Sequence, residues 1–161
     1  MELIRVKNLS FGYQSKRMVL QNIDFSVKQG TFICIIGENG SGKSTLIKCI
    51  LGLNRGYIGE IKKENKIGYL PQKTDIQANF PVSVEEVVMS GTLGRHIRSV
   101  FYQKDDKKLA KHVMNELGIY EIKNKSFADL SGGQQQRVLI ARAMCATDKI
   151  IILDEPTNGL D

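Results

Sequence analysis

From Glu2 to Val27, apolar and polar residues alternate, as at Leu20, Ile23, Phe25 and Val27, with Gly12 and Asn22 at turn positions. A period of two places alternate side chains on one face, so the stretch predicts antiparallel strands. The alternation then stops. Thr31 to Ile36 is a nearly unbroken β-type run, the pattern of a strand covered on both faces, and it leads into a Gly-rich loop and a helical stretch from Ser44 to Leu51. Tyr57 to Leu70 predicts two short strands around the polar turn Lys62 to Asn65, and Ile150 to Leu153 repeats the pattern of a central parallel strand.

Three helices follow from other signals. Ser83 with Glu86 three residues on is a capping box. Asp105 to Leu117 puts Leu109, Val113, Met114 and Leu117 on one face, with Gly118 where a left-handed C-cap residue belongs and Lys104, Lys107, Lys108 and Lys111 on the solvated face. Gly133 to Cys145 predicts the third helix. There is no internal repeat and no low-complexity linker. The expected fold class is α/β: a central sheet, an antiparallel β-part from the N-terminal strands, and a helical subdomain.

Composition narrows this little. The 161 residues, 42% hydrophobic and 25% charged, suffice for one domain with a core. The formal charge of +6 suits phosphate, acidic lipid or nucleic acid alike. Cys34, Cys49 and Cys145 form no CxxC pair, which argues against a disulfide framework or zinc site and for buried reduced thiols. No stretch reaches the roughly 20 apolar residues of a membrane span, and Met1 to Arg5 lacks a signal-peptide layout. A cytoplasmic protein is expected, with any membrane association made through a partner.

The chemistry begins at Gly37, Glu38, Asn39, Gly40, Ser41, Gly42, Lys43, Ser44 and Thr45, which fit GxxxxGK[ST] between a predicted strand and a helix. Glycines let backbone N–H groups turn onto phosphate oxygens, and the helix start adds positive potential. Lys43 then reaches the β- and γ-phosphates, and Ser44 offers its hydroxyl to Mg²⁺. A Gly-rich strand-to-helix connection is also an ordinary turn, but the Lys-Ser pair and the flanking elements weigh against that. At the end of the second apolar run stand Asp154 and Glu155. Asp154 suits Mg²⁺ through water, and Glu155 suits the water that attacks a γ-phosphate. A solvated acid pair is the plain alternative. Because Mg²⁺ completes the neutralisation of the phosphates, the two motifs support each other.

Leu130 to Arg137 supplies a third feature: Ser131, Gly132 and Gly133 open a predicted helix and form a second N-terminal anion site. One nucleotide does not need two.

Taken in order, the phosphate loop, Ser131-Gly132-Gly133-Gln134 and Leu153-Asp154-Glu155-Pro156 resemble the ABC-transporter ATPases, over essentially the whole chain. The resemblance implies that two domains pair head to tail, with Ser131 and Gly133 on the γ-phosphate of ATP held by the partner's Lys43. Gln134 belongs to the same signature. Tyr13 matches the family's adenine platform, although packing explains a lone Tyr equally well. Gln72, in Tyr69-Leu70-Pro71-Gln72, matches the glutamine that touches Mg²⁺ or the attacking water. The implied division is 1–77 as β-subdomain and phosphate-loop core, 78–128 as helical subdomain facing transmembrane permease subunits, and 129–161 as signature helix and acidic strand. Asn158-Gly159-Leu160-Asp161 matches a loop that crosses the dimer, with Asn158-Gly159 where Ser-Ala is common. The family's switch histidine has no match, since His96 and His112 precede the signature. The expectation is a truncated domain lacking its last strands, marginal or oligomeric alone, and weak or inactive in hydrolysis by itself.

Ala78 to Gly94 resembles the branch that imports zinc, manganese or iron, which implies a solute-binding protein acting indirectly and a place on the inner face of the cell membrane. His96 and His112 are expected on the surface without a site. Two alternatives stay open: a soluble ABC-type ATPase acting on DNA or ribosomes, suggested by Arg95, Arg98 and Lys104 around Val100-Phe101-Tyr102, and a non-hydrolysing fragment. Without a coiled-coil insertion or second ATPase copy, direct nucleic-acid binding is not expected. EF-hand, kinase and dinucleotide readings fail on spacing.

Overall fold

The computed structural model describes residues 1–13, 17–64, 66–72, 81–95 and 101–154. They form two compact units, residues 1–65 and 66–161.

In the first unit, β1 (Glu2–Phe11) is the middle strand of an antiparallel sheet, flanked by β2 (Leu20–Lys28) and β3 (Ile58–Lys63). The register runs from Glu2 opposite Lys28 to Phe11 opposite Leu20, and from Ile4 opposite Lys63 to Ser10 opposite Ile58. As the middle strand, β1 buries Leu3, Ile4, Val6, Leu9 and Phe11, whereas β2 buries only Leu20 fully. Asn22, expected in a turn, instead lies within β2 at φ +48, and Asn8 lies within β1 at φ +47. Both mark irregular register, where short polar side chains tolerate the left-handed region. The Asn22 N–H donates to Ser10 Oγ at 2.9 Å, and the Asn8 N–H donates to Asp24 Oδ1 at 3.1 Å. The helix α1 (Lys43–Leu51) adds Leu46, Ile47, Cys49 and Ile50 to the buried set.

Thr31 to Ile36, predicted as a strand covered on both faces, belongs to no ladder among the described residues. Phe32 is 92% exposed and Ile36 is 89% exposed. Cys34, expected to be buried, is exposed with them. An apolar run is buried only when other elements cover it, and among the described residues no strand pairs with this one. Cys49 and Cys145 are buried as expected, and burial pushes the Cys145 thiol up to about 11.

In the second unit, β4 (Gly68–Leu70) pairs in parallel with β5 (Ile151–Leu153). The two predicted strands between Tyr57 and Leu70 therefore join different sheets. Ile151 and Leu153 remain 43% and 38% exposed, so the covering expected of a central strand is incomplete among the described residues. Helices α2 (Val84–Ser90), α3 (Lys104–Glu116) and α4 (Gly132–Ala146) build the core here. α4 packs against α2, α3, β4 and the 3-10 turn Gly91–Arg95. Val138, Ala141 and Cys145 meet Val84, Val88, Val113 and Met114 in one cluster. Gly91 permits the closest approach, since a Cβ there would collide with the Arg142 carbonyl oxygen.

The helix ends follow the sequence signals. Ser83 Oγ accepts from the Glu86 N–H at 3.2 Å while Glu86 Oε2 accepts from the Ser83 N–H at 2.8 Å. Gly118, at φ +64, closes α3, with its N–H donating to Asn115 O at 3.1 Å and the Ile119 N–H donating to Met114 O at 2.9 Å. Val113 and Met114 are buried, Leu109 and Leu117 pack beside them, and the four lysines face outward.

Candidate nucleotide site

The Gly-rich loop and α1 carry the predicted phosphate contacts. α1 starts after Gly42, whose φ is +97 and which, as a glycine, brings no side-chain cap. A helix start leaves up to four N–H groups without intrahelical partners, and Gly42 has no side chain to cap them. Gly42 is required twice: its φ is left-handed, and a Cβ would crowd Leu20 Cδ2 at 3.1 Å and Val19 Cγ1 at 3.2 Å. Gly40 also has positive φ, and the Ser41 N–H donates to Glu38 O at 3.2 Å, which closes the turn.

Lys43 Nζ donates to Gly37 O at 2.8 Å and Glu38 O at 2.9 Å, so the ammonium lies against the loop that would wrap a phosphate. Gly37, Asn39, Gly40 and Ser41 are exposed, and Ser44 is half-buried beside Lys43. Thr45 is buried, with Oγ1 3.2 Å from the Tyr13 hydroxyl. Tyr13 is 59% exposed and stands edge-on to Phe11, with ring centroids 5.1 Å apart. Its hydroxyl also accepts from Asn54 Nδ2 at 3.2 Å. Asn54 escaped the sequence reading: a polar residue just past a helix end carries no motif, and its partner lies far away in the chain.

The second unit positions Gln72 and Asp154. Leu70 pairs with Leu153, and the Asp154 N–H donates to Leu70 O at 2.9 Å. Parallel pairing therefore sends the residues after both strands to the same C-terminal edge. Asp154 is buried there and Gln72 is exposed. Burial raises the Tyr69 phenol pKa, and the Asp154 carboxylate raises it further. Glu155, predicted to act on the attacking water, lies outside the described residues, as do His96 and Asn158 to Asp161.

At the start of α4, Ser131 is the N-cap. Its Oγ accepts from the Gln134 N–H at 3.3 Å, and Gln134 Oε1 accepts from the Ser131 N–H at 3.1 Å. This capping box leaves the N–H groups of Gly132 and Gly133, and the Ser131 hydroxyl keeps its own proton to donate. Gln135 Nε2 donates to Phe127 O at 3.1 Å and braces the turn.

Arg95, weighed as part of a basic patch, is engaged elsewhere. Its Nη2 meets both Asp148 carboxylate oxygens at 2.6 Å, and its Nη1 donates to Cys145 O at 3.2 Å. His112 is exposed and lies 3.4 Å from Glu116.

A family model for the ABC transporter matches residues 20–158. The chain belongs to the ABC transporter family, of which it is an ATP-binding domain. It is 38% identical over its full length to a probable metal transport system ATP-binding protein of Thermotoga maritima, of which it covers 64%. Against a manganese transport system ATP-binding protein of Halalkalibacterium halodurans the identity is 41%, covering 99% of this chain and 66% of that protein. Among solved structures, an inward-facing putative metal-chelate type ABC transporter superimposes with a TM-score of 0.87 at 35% identity, over 99% of this chain and 62% of that one. The chain thus spans about two thirds of the length of these relatives. Among the described residues, no helix is long and apolar enough to cross a membrane.

Proposed function

We propose that this chain belongs to the ATP-hydrolysing motor of a transporter that imports a metal ion. The observation that carries the reading is the uncapped start of α1 beside Lys43, with Tyr13 hydrogen-bonded to the same helix. In this reading Gly37 to Thr45 bind the phosphates of ATP, and Tyr13 underlies the base. Mg²⁺, held by the hydroxyl of Ser44 and, through water, by Asp154, would neutralise phosphate charge. The donor set fits: hydroxyl and carboxylate oxygens are the hard ligands that Mg²⁺ takes. Gln72 would touch the same ion or the attacking water, and Glu155 would orient that water.

The second helix start, at Ser131 and Gly133, supports a head-to-tail pair of domains in which each signature meets the nucleotide of the other. Residues 78–128 would form the helical subdomain that meets the permease subunits, between the core at 1–77 and the signature and acidic strand at 129–161. The assembly would sit on the inner face of the cell membrane and meet a solute-binding protein only indirectly. The names of the metal-transport relatives support the cargo class.

Calorimetric titration with Mg-ATP tests the first step. Binding should be strong in the wild type and nearly absent in Lys43→Ala; equal binding by both would refute the site. Uptake of radioactive manganese by cells carrying the same substitution tests the cargo, and undiminished uptake of manganese, zinc and iron would refute that part.

A further inference from the structure

Among the described residues the Tyr13 hydroxyl has two partners, each 32 or more positions away in sequence: Thr45 Oγ1 at 3.2 Å and Asn54 Nδ2 at 3.2 Å. An amide nitrogen only donates, so Asn54 makes the phenol oxygen an acceptor. Between Tyr13 and Thr45 either hydroxyl can donate to the other, since a phenol oxygen has room for a second donor beside Asn54. Asn54, Tyr13 and Thr45 thus form one hydrogen-bond chain, ending on the third residue of the phosphate-loop helix.

Asn54 is itself anchored. Its backbone N–H donates to Lys48 O at 3.2 Å, at the closing turn of α1. Burial pushes the Cys49 thiol pKa up, and the neighbouring Asn54 side chain opposes that push. Tyr13 is therefore tied to α1 near its beginning through Thr45 and beyond its end through Asn54, while Phe11 holds the ring edge. A tyrosine left 59% exposed but pinned at its hydroxyl is a platform set in advance. Preorganisation of this kind strengthens binding by reducing the ordering needed when the ligand arrives.

We propose that Asn54 is a positioning residue for the nucleotide, fixing the Tyr13 ring relative to the phosphate loop so that base and phosphates are bound together. The proposal rests on the reading of Gly37 to Thr45 as the ATP site with Tyr13 under the base. Its prediction is selective: losing Asn54 weakens ligands that carry a base and spares those that are phosphate alone.

The test is calorimetric titration of the full chain with Mg-ATP and with inorganic tripolyphosphate. Asn54→Ala should weaken ATP binding about threefold to tenfold, the range for one lost neutral hydrogen bond, and leave tripolyphosphate unchanged. Tyr13→Phe keeps the ring at an exposed position and should show a similar loss. In the double variant Asn54→Ala/Tyr13→Phe the losses should not add, because the hydroxyl that Asn54 holds is already gone. Equal weakening of both ligands, additive losses, or no loss in Asn54→Ala would overturn the proposal. Tyr13→Ala separates it from the broader reading: if removing the ring leaves ATP binding intact, the base platform fails and the Asn54 role with it. Loss in Tyr13→Ala without loss in Asn54→Ala overturns the Asn54 role alone.

Discussion

Two Gly-rich helix starts in this chain, those of α1 and α4, use the same backbone physics in opposite states. α1 begins at a left-handed glycine with no side-chain cap, and the Lys43 ammonium in its first turn rests on loop carbonyls. α4 begins at Ser131 and is closed by its own capping box with Gln134. A start without a side-chain cap can offer backbone N–H donors to a polyanion; a closed start is already stable and offers only what the box leaves over. A site meant to hold phosphate in the absence of a partner should resemble α1. One meant to complete a neighbour's site should be a rigid, self-supported helix, as α4 is. α2, with the same box at Ser83 and Glu86 and no adjoining glycines, shows that the box by itself is structural.

The largest effect should come from the open start. Lys43→Ala should lower affinity for ATP and for tripolyphosphate alike, by roughly 100-fold, as expected for lost charge-assisted hydrogen bonds, measured by calorimetry. Retained tripolyphosphate binding would mean that the α1 amides alone suffice. Gly42→Ala should destabilise the fold by at least about 1–2 kcal/mol in urea unfolding, because L-residues resist its φ and the Cβ would press on Leu20 and Val19. An unchanged midpoint would show that the loop relaxes freely.

The closed start is separated from its anion role by a pair of substitutions. Ser131→Ala should cost about 1 kcal/mol of stability through the lost cap. Ser131→Asp keeps a good capping oxygen but brings a negative charge, so stability should survive while ATP-driven pairing, followed by light scattering, is lost. Pairing that survives in Ser131→Asp would detach Ser131 from the partner's nucleotide.

The smallest effect concerns α2. Hydrogen bonds from the Ser83 side chain and backbone hold the Glu86 carboxyl below its ordinary value of 4.5. A carboxyl with a lowered folded pKa contributes stability that is complete above the unfolded value and is lost as pH falls through the folded one. The urea midpoint of the wild type should therefore fall relative to Glu86→Gln as pH drops below about 4.5. Parallel profiles would show that the box does not depend on charge.

Much of this was legible in the chain because the signals are local. A capping box spans three residues, a C-cap glycine follows its helix, and the phosphate loop is contiguous, so Ser83, Gly118, Ser131 and Lys43 stand where their neighbours predict. Sequence pattern and structure part where an outcome depends on distant elements. Asn22 has the residue type of a turn, yet its left-handed φ is absorbed within β2 by the Ser10 hydroxyl of the neighbouring strand. Thr31 to Ile36 has the composition of a buried strand, but burial is conferred by what covers a segment, and Phe32 and Cys34 are exposed.

The sequence by itself therefore determined the family, the place of the Gly-rich loop and the helix starts and stops, because each is written in residues that touch within a turn or two. Tertiary structure alone decided which apolar runs are covered, that Gln72 and Asp154 share one strand edge, and that Asn54 reaches Tyr13 across 41 positions. Those contacts depend on how separate elements pack, and the pattern of neighbouring residues carries no record of packing partners that lie far away along the chain.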